Sequence, residues 1–181
     1  MKIYLLRHSK SIGNEKEILD SCMDFGLSEE GKKQAQDLIS KLQKYKFDIF
    51  ITSPLKRTIE TINPYLKTLK NLKVLTNKLT LERDGGKFTG GIQSGIKDYC
   101  EKNKLNKVFF RPNNGESIKD VFARAKKFVE YLKENFKNES VLICGHKNFL
   151  MSLEMVLRKL PIKDYYNYEA LGNGEIREFD L

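Results

Sequence analysis

The 181-residue sequence has no apolar run near the ~20 residues needed to cross a bilayer. It also shows no secretory signal peptide. We therefore expect a soluble, cytoplasmic protein with no membrane partner. The three cysteines, Cys22, Cys100 and Cys144, cannot form a full set of pairs and lack the spacing of metal ligands. This predicts neither a disulfide framework nor a cysteine metal site.

Acidic residues are fewer than basic ones. The chain has 24 Asp and Glu against 33 Lys and Arg, which gives a formal net charge of +9. Such an excess suits an anionic ligand: a phosphate ester, a nucleic acid or an acidic membrane surface. Most of the lysines, however, fall on the polar side of helical patterns, where water solvates them. We therefore expect no nucleic-acid partner.

Short β-rich runs alternate with helical patterns, which is typical of an α/β domain with a mainly parallel sheet. The chain length fits one domain, residues 1–181. The predicted strands are residues 2–6, 48–52, roughly 72–76, 140–144 and 175–180.

Helix starts are marked by capping residues. Ser28 and Ser117 precede apolar stripes at helical spacing, and Ser53 precedes a proline, which is favoured in a first helical turn. Pro64 is expected to kink or end the helix that begins after Ser53. A fourth helix is predicted from about residue 148 to 158.

Residues 80–115 interrupt the alternation of strands and helices. They are rich in Gly, Lys and Asn, with one helix predicted near residues 96–102. An irregular segment of this length is usually a functional lid or disorder. We interpret it as a lid inserted at about 80–115 in the single domain.

The sequence has only two histidines, and each follows a predicted strand. His8 comes directly after Arg7, His146 follows a later strand, and Arg57 lies one turn into a helix. Ligands of open α/β sheets bind beyond the carboxyl ends of the strands, so these four side chains are expected to share a pocket. Guanidinium groups match phosphoryl oxygens and an imidazole can attack phosphorus, which indicates phosphoryl-transfer chemistry.

Six sequence blocks occur in the order of a known family. They are Leu5-x-Arg7-His8 with Ser11 and Asn14; Leu27-Ser28-x-x-Gly31-x-x-Gln34-Ala35; Ser53 with Arg57 and Thr61; Glu82 with Gly86, Phe88 and Gly90; Gly115-Glu116-Ser117 with Arg124; and Gly145-His146. Together they resemble the phosphatase branch of the histidine phosphatase superfamily, and they cover most of the chain. The resemblance implies a phosphoglycerate mutase-like fold, in which a mainly parallel central sheet is flanked by helices on both faces.

The resemblance also implies a role for each pocket residue. His8 would be the nucleophile that forms a phosphohistidine, while Arg7, Arg57 and His146 hold the phosphoryl oxygens. His8 must be neutral to attack, so we expect its other ring nitrogen to donate to a nearby carbonyl. Glu82 would protonate the leaving oxygen and then activate water. Further candidates for phosphate binding are Ser11, Asn14 and Lys147. No metal and no cofactor are expected, because the cations of the pocket stabilise the transferring group.

The residues that follow both histidines depart from the family pattern. Ser9 and Lys10 follow the first histidine, where the family has Gly and then usually an acidic residue or Gln. This resembles the shorter phosphohistidine-protein phosphatases, which lack the lid and its glutamate. Lys147 replaces the Gly that the family prefers after the second histidine, and adds a cation beside the pocket.

Some roles stay open at this point. Asp84 is a rival to Glu82 as proton donor, and Ser11 and Asn14 can be loop-forming residues. The Ser117 block can act as a helix cap. The basic lid residues Lys87, Lys97 and Arg111 can favour a second anionic group or can be solvated. The tyrosines expected to pack the C-terminal segment are Tyr165, Tyr166 and Tyr168.

The leading hypothesis is a metal-independent phosphomonoesterase that hydrolyses a small anionic phosphorylated metabolite through a phosphohistidine on His8. One alternative is a phosphoglycerate mutase-type phosphotransferase, although such mutases carry a longer lid insertion and C-terminal part. The others are a protein phosphohistidine phosphatase and a non-catalytic member that binds phosphate groups or RNA. The sequence makes no prediction of oligomeric state.

Overall fold

The centre of the fold is a five-stranded sheet. The computed structural model, which describes residues 1–70 and 73–181, orders the strands β3-β2-β4-β1-β5. The first four are parallel, and β5 runs antiparallel to β1, so the predicted mainly parallel sheet is confirmed. Leu72, the expected start of the third strand, lies outside the described residues. The strands are β1 (Lys2–Arg7), β2 (Ile49–Thr52), β3 (Lys73–Thr76), β4 (Ser140–Gly145) and β5 (Ile176–Asp180).

Six α-helices accompany the sheet in the described part of the chain. They are α1 (Ile12–Glu15), α2 (Glu29–Leu42), α3 (Lys56–Leu66), α4 (Gly95–Lys102), α5 (Ile118–Asn135) and α6 (Lys147–Leu157). Ser28 and Ser117 cap α2 and α5 as expected, because their hydroxyls accept backbone N–H groups of the first turn. None of the described helices combines the length and apolarity of a membrane span.

The predicted start of α3 is wrong. The backbone N–H of Ser53 donates to the Cys144 carbonyl and so extends the β2–β4 pairing, while Leu55 is still extended. The helix therefore begins at Lys56, and Ser53 is not its cap. Pro64 lies in the last turn of the helix, which ends at Leu66, and it has no N–H to donate to the Glu60 carbonyl.

Helices cover both faces of the sheet, as expected. Side chains alternate along a strand, so a strand buried on both faces is a continuous apolar run. In β1, Ile3 and Leu5 pack with α5 and α6, whereas Tyr4 and Leu6 pack with α2 and α3. The helices thereby fix the strand ends from which the candidate residues project.

The lid segment, residues 80–115, contains α4 where one helix was predicted and a 3₁₀ turn at Gly86–Phe88. Its aromatic rings pack on one another, with centroid distances of 5.3 Å from Phe88 to Tyr99 and 5.4 Å from Tyr99 to Phe110. The Ser21 hydroxyl donates to the Arg83 carbonyl at 3.0 Å and joins the segment to the loop between α1 and α2. The segment thus forms a wall over the carboxyl edge of the sheet.

Candidate active site

The two histidines meet because their strands are parallel neighbours in register. Arg7 of β1 lies opposite Gly145 of β4, so His8 and His146 leave the sheet side by side. Their ring centroids are 5.2 Å apart. Next to β4 on its other side, β2 leads into α3, which brings the Nε of Arg57 to 3.2 Å from Nδ1 of His146. Of the four side chains expected to share a pocket, Arg7, His8 and Arg57 line one cavity. His146 is fully buried beside His8 and Arg57 and is not among the lining residues.

His8 is buried and has one ring nitrogen occupied. Its Nδ1 lies 2.7 Å from the carbonyl oxygen of Ser9, which can only accept, so Nδ1 carries the proton. This is the expected hydrogen bond. Burial, together with the charges of Arg57 and Arg7, lowers the pKa of His8 well below its usual 6.5. His8 is thus neutral near pH 7, with an unprotonated Nε2.

His146 has the opposite tautomer. Its Nδ1 accepts from the Nε of Arg57, which can only donate, so Nε2 carries the proton. That Nε2 is buried without a hydrogen-bond partner among the described residues. Burial, reinforced by Arg57, lowers the pKa of His146 well below 6.5. One histidine therefore offers a lone pair and its neighbour an N–H donor.

The two arginines are held by backbone carbonyl groups. Arg57 is only 1% exposed, and its two terminal nitrogens each donate at 2.8 Å, to the carbonyls of Met23 and Ser21. Arg7 donates to the Leu171 carbonyl at 2.8 Å. Burial lowers the pKa of both arginines, yet a guanidinium stays charged near pH 7. Both line a cavity of about 400 Å³ together with His8.

Glu82 lines the same cavity and is oriented by backbone amides. Its carboxylate accepts the N–H of Arg83 at 2.7 Å and the N–H of Asn148 at 3.1 Å. Asn148 is the second residue of α6, a helix that begins directly after His146. Asp84 does not line the cavity, since its carboxylate accepts the Gly86 N–H at 2.8 Å and closes a lid turn. Of the two rival proton donors, the structure brings only Glu82 to the site.

The Glu82 segment is fixed from behind by Arg124 of α5. This guanidinium donates at 2.7 Å to each of the carbonyls of Leu79 and Leu81, and at 2.8 Å to the Glu116 carboxylate. Glu116 in turn accepts the backbone N–H of Asp84 at 3.0 Å. The sequence left open whether the block Gly115-Glu116-Ser117 caps a helix or contacts a ligand. In the structure Glu116 holds the lid segment, and Ser117 caps α5.

Of the three further phosphate-binding candidates, two line the cavity and one does not. Ser11 does not line the cavity: it is fully buried, caps α1, and donates to the Asp20 carboxylate at 2.7 Å. Because its hydroxyl is already used in these hydrogen bonds, Ser11 has the loop-forming role that the sequence left open. Asn14 lines the cavity and accepts from the side chain of Asn173 at 3.2 Å. Lys147 also lines it, at the first position of α6.

The three basic lid residues differ in whether they line the cavity. Lys97 lines the cavity, whereas Lys87 lies over the Tyr99 ring, 4.8 Å from its centroid, and Arg111 pairs with Asp120 at the surface. Only Lys97 of the three is placed to meet a ligand.

Sequence reasoning missed part of the cavity wall. Tyr166 was expected to pack the C-terminal segment, as the buried Tyr165 does, but it is 45% exposed and lines the cavity. It lies in a 3₁₀ helix, Ile162–Asn167, that carries no periodic signal in the sequence. The other missed lining residues are Ile18, Leu19, Asp20, Ser21, Arg83, Gly85, Gln93, Ser94, Ile96 and Asn148.

Metal-binding groups were sought across residues 1–70 and 73–181. No cluster of three or more His, Cys, Asp and Glu side chains there is arranged to hold an ion. The three cysteines are free thiols, with Cys100 and Cys144 buried and Cys22 exposed.

Fold and site together define an α/β protein with two neutral histidines, a buried arginine (Arg57) and a half-buried one (Arg7) at the carboxyl edge of its sheet. The chain belongs to the histidine phosphatase superfamily (branch 1), whose family model matches residues 3–181. With phosphatases among its relatives, this membership assigns it to the phosphoric monoester hydrolases.

Individual relatives agree with the family assignment. The chain is 29% identical over 174 residues to phosphoserine phosphatase 1 of Hydrogenobacter thermophilus, covering 93% of this chain and 81% of that protein. It is 33% identical over 183 residues to a 2,3-bisphosphoglycerate-dependent phosphoglycerate mutase of Rhodopseudomonas palustris, covering 95% and 87%. The fold matches that of a mycobacterial glucosyl-3-phosphoglycerate phosphatase with a TM-score of 0.86 at 23% identity, covering 98% and 90%.

Proposed function

We propose that this protein is a metal-independent phosphomonoesterase that hydrolyses a small anionic phosphorylated metabolite through a phosphohistidine on His8. The observation that carries the proposal is that the two histidines have opposite tautomers. Nε2 of His8 has a free lone pair, and Nε2 of His146 has an N–H without an acceptor among the described residues. A nucleophile beside a donor for the developing charge is what phosphoryl transfer requires.

In the first step, Nε2 of His8 attacks phosphorus and the bond to the leaving oxygen breaks. Glu82 gives its proton to that oxygen, so the leaving group departs as an alcohol. Arg7, Arg57 and the N–H of His146 stabilise the equatorial oxygens, whose charge grows in the transition state. The guanidinium groups are already anchored to carbonyls, so little reorganisation accompanies the reaction.

In the second step, the Glu82 carboxylate removes a proton from water as the water oxygen attacks the phosphohistidine. The nitrogen–phosphorus bond breaks, inorganic phosphate is released, and His8 regains its free Nε2. Glu82 thereby recovers the proton that it gave to the leaving group, and the cycle is balanced.

The charge of the cavity supports an anionic substrate. Its lining has five cationic side chains, Arg7, Arg57, Arg83, Lys97 and Lys147, and two acidic ones, Asp20 and Glu82. One phosphoryl group does not use all of the positive charge. The phosphatases among the relatives support hydrolysis, while their different substrates leave the identity of the metabolite to a substrate screen.

A mutase is the second candidate, because a mutase is 33% identical to this chain over nearly its whole length. The protein phosphohistidine phosphatase alternative is less favoured, since this chain has both a lid segment and Glu82. A cytoplasmic location and the absence of nucleic-acid and membrane partners remain predictions of the proposal.

The test is phosphate release from p-nitrophenyl phosphate, with mass spectrometry of enzyme quenched in base, where phosphohistidine survives. We expect turnover and a phosphorylated peptide that contains His8, and both should disappear in His8→Ala. Lys32→Ala, an exposed α2 residue, is the control. Turnover that persists in His8→Ala contradicts the proposal. Isomerisation of a phosphorylated acid that needs a bisphosphate primer, without phosphate release, would identify a mutase instead.

A further inference from the structure

A second cleft, of about 490 Å³, adjoins the catalytic cavity, and we call it the outer cleft. Its own lining residues are Lys10, Glu30, Gln34 and Asn173. The residues that line both spaces are Arg7, Asn14, Gln93 and Lys147. The two spaces therefore adjoin at these four side chains.

Each of the four shared residues has an unused hydrogen-bond donor within the part of the chain that the structure describes. The Nε of Arg7 is buried without a partner. The Asn14 side chain uses its oxygen as an acceptor, and its amide nitrogen donates to nothing. Gln93 bonds only through its backbone, and Lys147 forms neither an ion pair nor a side-chain hydrogen bond. Four residues with an unused donor thus line both the cavity and the outer cleft.

The outer cleft has an excess of positive charge. Arg7, Lys10 and Lys147 are cationic, and Glu30 is its one acidic lining residue. Glu30 is already paired with Lys10, which leaves two cations uncompensated.

Glu82 lies near residues that border the outer cleft. Its carboxylate accepts the N–H of Asn148, and the preceding residue, Lys147, lines both spaces. Gln93 of the lid segment lines both spaces as well.

We propose that the outer cleft binds a second anionic group of the substrate, a phosphoryl or carboxylate group several bonds from the scissile phosphate. This inference rests on the proposed function, because it names the class of metabolite that the same site takes. Oxygen-rich anions match the unused donors and the uncompensated cations.

The test compares two non-hydrolysable ligands by calorimetry, propylphosphonate and propane-1,3-bisphosphonate. Their affinity ratio isolates the second anionic group. We expect the bisphosphonate to bind wild type more tightly, and 3-phosphonopropanoate separates carboxylate from phosphonate recognition. Lys10→Gln should lower the ratio and Glu30→Gln should raise it, each ~1.4- to 5-fold, since exposed ion pairs are worth about 0.2–1 kcal/mol. The opposite signs cannot come from general loss of structure.

Lys97→Gln is the matched control, because Lys97 lines only the catalytic cavity, on the lid side. A ratio that falls in Lys97→Gln and is unchanged in Lys10→Gln and Glu30→Gln would overturn the proposal, as would equal binding of the two ligands to wild type. Since no turnover is measured, tight bisphosphonate binding without phosphatase activity would refute the proposed function alone.

Discussion

Replacement of Arg57 tests the site most directly, because this side chain both binds the phosphoryl group and orients a histidine. Its Nε donates to Nδ1 of His146, and its terminal nitrogens donate to the carbonyls of Ser21 and Met23. Each terminal nitrogen has a second hydrogen left for a phosphoryl oxygen. In Arg57→Ala the phosphoryl oxygens lose a cation, and Nδ1 of His146 loses the donor that sets its tautomer.

The magnitude follows from transition-state stabilisation. Loss of one preorganised donor to a developing oxyanion costs about 2.7–4 kcal/mol, or 10²- to 10³-fold in rate. We expect Arg57→Ala to lower kcat/KM for p-nitrophenyl phosphate by at least this factor. Arg57→Lys should recover little, because an ammonium group cannot donate in the three directions that the guanidinium uses.

Steady-state kinetics measure the loss, and ¹⁵N NMR of the imidazole nitrogens measures the tautomer of His146. We expect Nε2 of His146 to be protonated in wild type and both tautomers to be present in Arg57→Ala. Arg111→Ala removes a surface arginine outside the cavity and is the control. A loss below fivefold in Arg57→Ala, with thermal unfolding unchanged, would refute the assigned role.

Two other perturbations probe the acid and the neutral histidines. Glu82→Gln should slow the hydrolysis of alkyl phosphates far more than that of aryl phosphates, because aryl leaving groups depart unprotonated. The control Asp84→Asn should not show this difference. Equal slowing of both esters in Glu82→Gln argues against acid catalysis. Acidification below pH 6.5 should destabilise the protein, because the pKa values of His8 and His146 are lowered in the folded state and the unfolded chain takes up the protons first. The slope is up to about 1.4 kcal/mol per pH unit for each histidine. Urea unfolding of wild type and of a His8→Asn, His146→Asn variant between pH 7.5 and 5 measures it, and parallel curves would contradict the buried neutral state.

The parts of the site on regular strands could be predicted from sequence, because apolar runs locate strand ends and parallel ends share one edge. His8 and His146 were placed in this way. The carbonyl anchors of Arg57 could not be, since Ser21 and Met23 lie in a loop without periodicity. Backbone oxygens contribute to the site independently of residue type, so no sequence pattern marks them.

Two further features had a signal that is clear only in retrospect. Gly31 lies in the first turns of α2, where alanine would favour the helix, and a Cβ there would lie 1.9 Å from the Lys10 carbonyl oxygen. A glycine that helix propensity disfavours therefore marked a close approach of two segments. The capping box of Ser11 and Asn14 likewise indicated α1, a helix too short for a periodic pattern.

The pairing of β1 with β4 also bears on how the polypeptide gains its activity. The N-terminal strand is synthesised early, whereas its neighbour β4 emerges only after the lid and α5. Contacts between such distant segments close slowly, because the intervening loop loses entropy first. A nascent chain therefore stays inactive until β1 and β4 have paired. For the same reason, the recovery of turnover after denaturation reports on a late event in folding.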